Sequence, residues 1–239
     1  MKHNFIDRYA DLDSPLHQLD ARTKLVGFTA LIIAVLAIPP GSTFVFFAFF
    51  FLAAIFMGIS QVPLGYILGK SLVLLPFVLL ASLARPWSGG MDLTFLSALV
   101  MRSMLSLIIL VLLTNTTRFT ELMRGLRKLG CPQILTLNLG FLYRYVFVLT
   151  EEVLRMRQAR DCRSVGRAPA RVELKILGSM LGTLLVRSFE RAERLYQAML
   201  SRGYSGDFPV FSPRRFTWRD LAFLSGVTAF IATTVMFMI

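Results

Sequence analysis

Ionisable chemistry is what this sequence lacks. Its 239 residues include only two histidines and two cysteines. His3 and His17 both precede the first apolar run, so no serine–histidine pair can form inside an apolar segment. Cys131 and Cys162 form no CxxC, which argues against a metal knuckle and against a disulfide framework. There is no HExxH and no Cys/His cluster. No pair of aspartates lies in the apolar runs, which excludes the acid pair of a membrane alcohol phosphotransferase. Catalysis needs positioned acids, bases or metals. Their absence disfavours an enzyme and leaves no catalytic residue, metal ligand or cofactor to assign. Gly65-Tyr-Ile-Leu-Gly69-Lys70-Ser71 looks like a phosphate loop, but it has three residues between its glycines where the cradle needs four. Lys70 reads instead as a lysine at the entry to an apolar run.

Apolar bulk fills the space. The hydrophobic share is 55%, with 21 phenylalanines and 17% charged residues. The mean hydropathy is +0.64. A soluble chain this apolar would have nowhere to bury its side chains. A membrane span needs roughly 20 mostly apolar residues. Lys24–Pro39, Thr43–Ile59, Tyr66–Ala84 and Thr94–Thr116 are four early candidates, and Trp218–Ile239 closes the chain as a fifth. Pro39-Pro40-Gly41-Ser42, Pro63-Leu64-Gly65 and Pro86-Trp87-Ser88-Gly89-Gly90 punctuate them. Arg102 lies inside the fourth run. It is costly there and should face protein, either as a contact to backbone carbonyls or beside a substrate path. Met1 to Asp20 is polar and does not read as a signal peptide.

Charge is sorted along the chain. Residues 118–219 hold 19 basic and 8 acidic groups, whereas 25–117 hold only Lys70, Arg85, Arg102 and Asp92. Lysine and arginine accumulate beside spans on the cytoplasmic face. The basic block is therefore expected in the cytoplasm, with the N-terminus inside and the C-terminus outside. Contact with anionic lipid accounts for much of the block. The chain divides into 1–117 (N-terminal segment and four spans), 118–217 (a cytoplasmic helical region) and 218–239 (the last span). The fold class is all-α, a polytopic membrane protein of about five spans with cytoplasmic amphipathic helices.

Within the basic block, Leu135, Leu139, Leu142, Val146, Leu149, Val153 and Met156 recur in steps of four and three, one stripe of a helix over Gln133–Asp161. Its weakly charged half, 133–150, is either a membrane-edge helix or a sixth span. A second helix over about Arg171–Ser201 carries Leu174, Leu177, Leu181, Leu184, Ser188, Ala192, Leu195 and Met199 in the same pattern. Its opposite face carries Arg187, Glu190, Arg191 and Arg194. Gly178 and Gly182, four apart, are expected to let another backbone approach. Such helices lie on membranes or bind partners. Gly203 suits the helix end. Ala159-Arg160-Asp161 and Ser201-Arg202-Gly203 thus place an arginine at the end of each helix. A cation there gains about 0.3–1 kcal/mol from the helix dipole. The functional reading is a docking finger, since guanidinium pairs bidentately with carboxylate. Nucleic acid is not expected as a partner, because the aromatic residues of the block sit in its apolar stripes.

These residues resemble the T component of energy-coupling-factor transporters, closest to the cobalt/nickel subgroup of CbiQ type. The resemblance rests on Ile6-Asp7-Arg8-Tyr9-Ala10, Leu12-Asp13-Ser14-Pro15-Leu16-His17, Leu19-Asp20-Ala21-Arg22-Thr23-Lys24-Leu25 and Ser201-Arg202-Gly203-Tyr204-Ser205-Gly206-Asp207-Phe208-Pro209. The two arginine motifs resemble that family's paired Ala-Arg-Gly signatures, with Asp161 in place of the first glycine and Ser201 in place of the second alanine. The resemblance implies a non-catalytic scaffold in the bacterial cell (inner) membrane. Its partners would be two ABC-type ATPase subunits, docked at the arginine motifs, and a substrate-binding S component of the metal-ion type. The implied cargo is cobalt or nickel ion, and cobalt uptake supports cobalamin synthesis. A general T component serving vitamin-specific S components is the alternative.

Overall fold

A computed structural model describes residues 14–63, 65, 66, 69, 72, 73, 76, 80, 93–163, 169–204 and 217–236. The expected third span, Tyr66–Ala84, falls mostly outside these residues, as do Lys70, Ser71 and the first thirteen positions. The described residues form seven helices and no strand: α1 (Ala21–Ala37), α2 (Thr43–Ser60), α3 (Leu93–Thr116), α4 (Phe119–Lys128), α5 (Gln133–Asp161), α6 (Ala170–Leu200) and α7 (Trp218–Met236). Four of them, α2, α3, α5 and α7, are long and apolar enough to cross a membrane. The 17 residues of α1 fall just short of the roughly 20 that span a bilayer upright. The chain is an all-α, multi-pass membrane protein. It divides into two compact units, one of residues 1–131 with 214–239 and one of 132–213.

In the first unit, local chemistry sets the helix ends. Asp20, with extended backbone, caps α1 by accepting the Arg22 amide at 3.4 Å. Pro39 and Pro40 cannot continue that helix, and Gly41 at φ +113° turns the chain toward α2. The end of α4 is a Schellman turn. Gly130 sits at φ +97°, the Cys131 amide returns to the Leu126 carbonyl at 3.1 Å, and the Gly130 amide to Arg127 at 3.3 Å.

The core of this unit follows from helical spacing. Phe28, Leu31 and Val35 of α1 are buried with Phe46, Phe49 and Ala53 of α2, Leu105, Ile108 and Leu112 of α3, and Val227 of α7. Rings lock the helices further: Phe28 lies 5.8 Å from Phe56 and 5.9 Å from Phe223, and Phe49 lies 5.0 Å from Phe230, edge to face. At Gly27 the α7 ring comes so close that a Cβ would stand 2.7 Å from Phe223 Cε1. Gly125 of α4 meets Ala21 and Leu25 of α1 in the same way, with a Cβ 3.3 Å from the Ala21 carbonyl carbon.

The second unit holds α5 and α6, each begun at a proline, Pro132 and Pro169. Glu152 pairs with Arg187, and Arg160 with Glu173 at 3.7 Å. As the number falls along α5 it rises along α6, so the helices run antiparallel. No residue of α6 is fully buried.

Candidate functional site

The two arginine motifs fall at the ends of α5 and α6. Arg160 occupies the last turn of α5. Arg202 lies just past Leu200, the last helical residue of α6, inside a Schellman turn. The Tyr204 amide returns to the Met199 carbonyl at 3.1 Å, the Gly203 amide to Leu200 at 3.0 Å, and Gly203 adopts φ +76°. Gly203 therefore fills the left-handed position expected of it. Position 161 holds aspartate, and among the described residues no left-handed residue closes α5. Its end tightens through the Arg163 amide on the Arg160 carbonyl at 2.9 Å. Asp161 turns to the arginines instead, at 2.9 Å from Arg160 Nη2 and 4.0 Å from Arg157 Nε. Ala159 and Ser201 flank the arginines and are exposed.

The apolar stripes of both helices remain open. On α6, Ile176, Met180, Leu184, Ser188, Arg191, Leu195 and Met199 are half-buried, in steps of four and three. The expected stripe agrees with this at Leu184, Ser188, Leu195 and Met199, but Ala192 is exposed and Arg191, expected on the opposite face, is half-buried in its place. Earlier it does not: Leu174 and Leu181 are 69% and 60% exposed. Nor is Arg187 on a purely solvated face, since it reaches Glu152 of α5. Residues of the α5 stripe, Leu135, Leu139, Leu142, Val146 and Val153, are exposed as well. A Cβ added to Gly178 or Gly182 would meet nothing within 4 Å. Both glycines thus present open backbone to whatever covers this face.

A polar junction in the first unit escaped the pattern reading. Lys24, fully buried, donates from Nζ to the Thr116 carbonyl at 2.8 Å and to the His17 carbonyl at 3.2 Å. His17 Nε2 is 3.3 Å from the Asn115 carbonyl, so that nitrogen is the donor, while Nδ1 is 2.7 Å from Ser14 Oγ. Buried Asp220 of α7 accepts from the Asp20 amide at 2.8 Å, from Thr23 Oγ1 at 3.0 Å and from the Thr217 amide at 2.8 Å. Arg219 donates to Gln18 at 3.0 Å. The start of α1, the end of α3 and the start of α7 therefore meet at one end of the bundle. Toward the other end, half-buried Arg102 donates to the Ile38 carbonyl just past α1, the backbone contact expected of an intramembrane arginine. The only sequence signals for the junction were a lysine and an acid at the edges of apolar runs.

Among the described residues, no group of three or more His, Cys, Asp or Glu side chains is placed to hold a metal ion.

The fold and this distribution of polar groups define a multi-pass helical membrane component with a separate charged helical unit. The family model for cobalt transport protein, CbiQ, matches residues 13–210. The chain belongs to that family. Cobalt transport protein CbiQ of Rhodobacter capsulatus is 31% identical over 87% of this chain and 88% of its own. Energy-coupling factor transporter transmembrane protein EcfT of Bacillus subtilis is 25% identical over 91% of both chains. Nickel permease LarQ of Lactiplantibacillus plantarum is 34% identical over 46% of this chain, a match that spans 40% of LarQ.

Proposed function

We propose that this protein is the energy-coupling transmembrane subunit of a metal-ion importer. In this role α5 and α6 carry the motion of two ABC-type ATPases to a substrate-binding membrane subunit. The observation that carries the reading is a pair of antiparallel helices, each ending in an arginine and each with an uncovered apolar face. Guanidinium at a helix end suits an acidic groove on a soluble partner. The apolar faces suit a membrane partner, and Gly178 and Gly182 would let that partner slide or cross closely. Ala159, Asp161, Ser201 and Gly203 shape the two ends around Arg160 and Arg202. The subunit itself catalyses nothing, and ATP hydrolysis belongs to its partners.

Cobalt or nickel as cargo rests on the family description and on relatives named for cobalt transport and for nickel permeation. The metal would be held by the substrate-binding subunit. The second reading, a general component serving vitamin-specific subunits, is favoured by the full-length matches to EcfT proteins. In either case the basic block 118–219 faces the cytoplasm and anionic lipid, with the N-terminus inside and the C-terminus outside.

The test is purification in mild detergent from the source cells, beside an Arg160→Ala/Arg202→Ala variant. The wild type should bring an ABC-type ATPase and a small membrane protein, and the variant should insert normally yet lose the ATPase. A wild type that brings no ATPase refutes the reading. The metal retained by the copurified membrane protein then identifies the cargo.

A further inference from the structure

The two arginine-bearing ends are chemically unequal. At the α5 end, the Arg160 guanidinium turns back on its own chain. Nε and Nη2 lie 3.0 and 2.9 Å from Asp161 Oδ1. Nη1 lies 3.7 Å from Glu173 Oε1 on the first turn of α6. All three nitrogens thus face an acid of this protein, and the edge that would grip a foreign carboxylate is taken by Asp161. A carboxylate in the last turn of a helix opposes the helix dipole, so Asp161 gains from the pairing. Glu173 closes the arrangement across the loop, and the Arg160 side chain is left 26% exposed. At the α6 end, Arg202 is exposed and pairs with no acid among the described residues.

We infer that Arg202 is the standing dock and Arg160 a latched one, freed only when a partner displaces Asp161 and Glu173. This rests on the docking role proposed above. It specifies the partner surfaces further. The groove for Arg202 requires only acids. The groove for Arg160 must also compete with two carboxylates of this chain, Asp161 and Glu173.

The test has two arms. In the first, the purified full-length chain is treated with phenylglyoxal, and modification at each arginine is followed by peptide mass spectrometry. Arg202 should react about two- to fivefold faster than Arg160, the size expected of a partly exposed ion pair. Asp161→Asn/Glu173→Gln should bring Arg160 up to the rate of Arg202 and leave Arg202 unchanged. Equal rates in the wild type, or no change in the double variant, overturn the latch. In the second arm, ATPase retention is measured in membranes of the source cells. Arg202→Ala should lose more ATPase than Arg160→Ala, and adding Asp161→Asn to Arg202→Ala should restore part of it. Equal losses overturn the order of docking. No ATPase retained by the wild type refutes the coupling role, while the first arm still decides the latch.

Discussion

The Lys24 ammonium donates to the Thr116 carbonyl at 2.8 Å, tying the first turn of α1 to the last residue of α3 across 92 positions of sequence. Thr116 is fully buried too, so its carbonyl has no water to fall back on. Replacing Lys24 by Met keeps the stem and removes the donor. Two buried carbonyls then lose a partner, at a cost of about 2–4 kcal/mol. Thermal unfolding of the purified protein in detergent should show a clearly lowered midpoint, and an unchanged midpoint would refute the role.

Asp220 accepts three hydrogen bonds, two of which join α7 to the start of α1 while the third, from Thr217, closes the start of α7 itself. Asn at this position keeps the shape but offers one acceptor oxygen and brings two donors. Asp220→Asn should destabilise the protein by roughly 1–3 kcal/mol. Thr23→Val removes one of the same bonds, so the two changes should be less than additive. Additive losses in a double-mutant cycle would mean that Asp220 and Thr23 do not act together.

Gly27 and Phe223 are complementary in shape. A methyl at position 27 would press on the ring at 2.7 Å, and Phe28 and Phe56 also pack on that ring, with centroids 5.9 and 5.8 Å away. Gly27→Ala should cost about 1–3 kcal/mol through overpacking. Phe223→Leu should relieve part of that loss when combined with it. Equal stability of Gly27→Ala and wild type would show that α7 shifts freely.

Gly178 offers the opposite case. A side chain there meets nothing within 4 Å in this protein, so Gly178→Leu should leave folding stability within about 0.5 kcal/mol of wild type. Under the proposed role it should nevertheless impair metal uptake, with the ATPases still bound. Uptake at the wild-type level would show that no partner approaches this backbone.

Much of the architecture was legible in local pattern. Apolar runs located α2, α3 and α7, the step pattern located α5 and α6, and Gly203 closed α6 as its position implied. Arg102 proved to hold a backbone carbonyl. The short amphipathic α4 does not stand out in the sequence, because ten residues, about three turns, of mixed basic and apolar character merge with the block around them. The first half of the α6 stripe departs from its expected spacing for a related reason. Periodicity reports which residues share a face, but not which of two apolar faces the neighbouring helix covers, and Leu174 and Leu181 were left outside.

The sequence alone determined the membrane character, the helical class and the placing of arginines at two helix ends. Those properties depend on hydropathy, spacing and caps, all of which act over a few residues. Tertiary structure alone decided that Lys24 is spent on Thr116 and His17, that Asp220 serves Asp20 and Thr23 from 200 and 197 positions away, and that Arg160 is held by Asp161 and Glu173 while Arg202 pairs with no acid among the described residues. Buried polar groups must find partners wherever folding brings them. That choice is made by the crossing of distant helices, and short-range pattern carries no record of it.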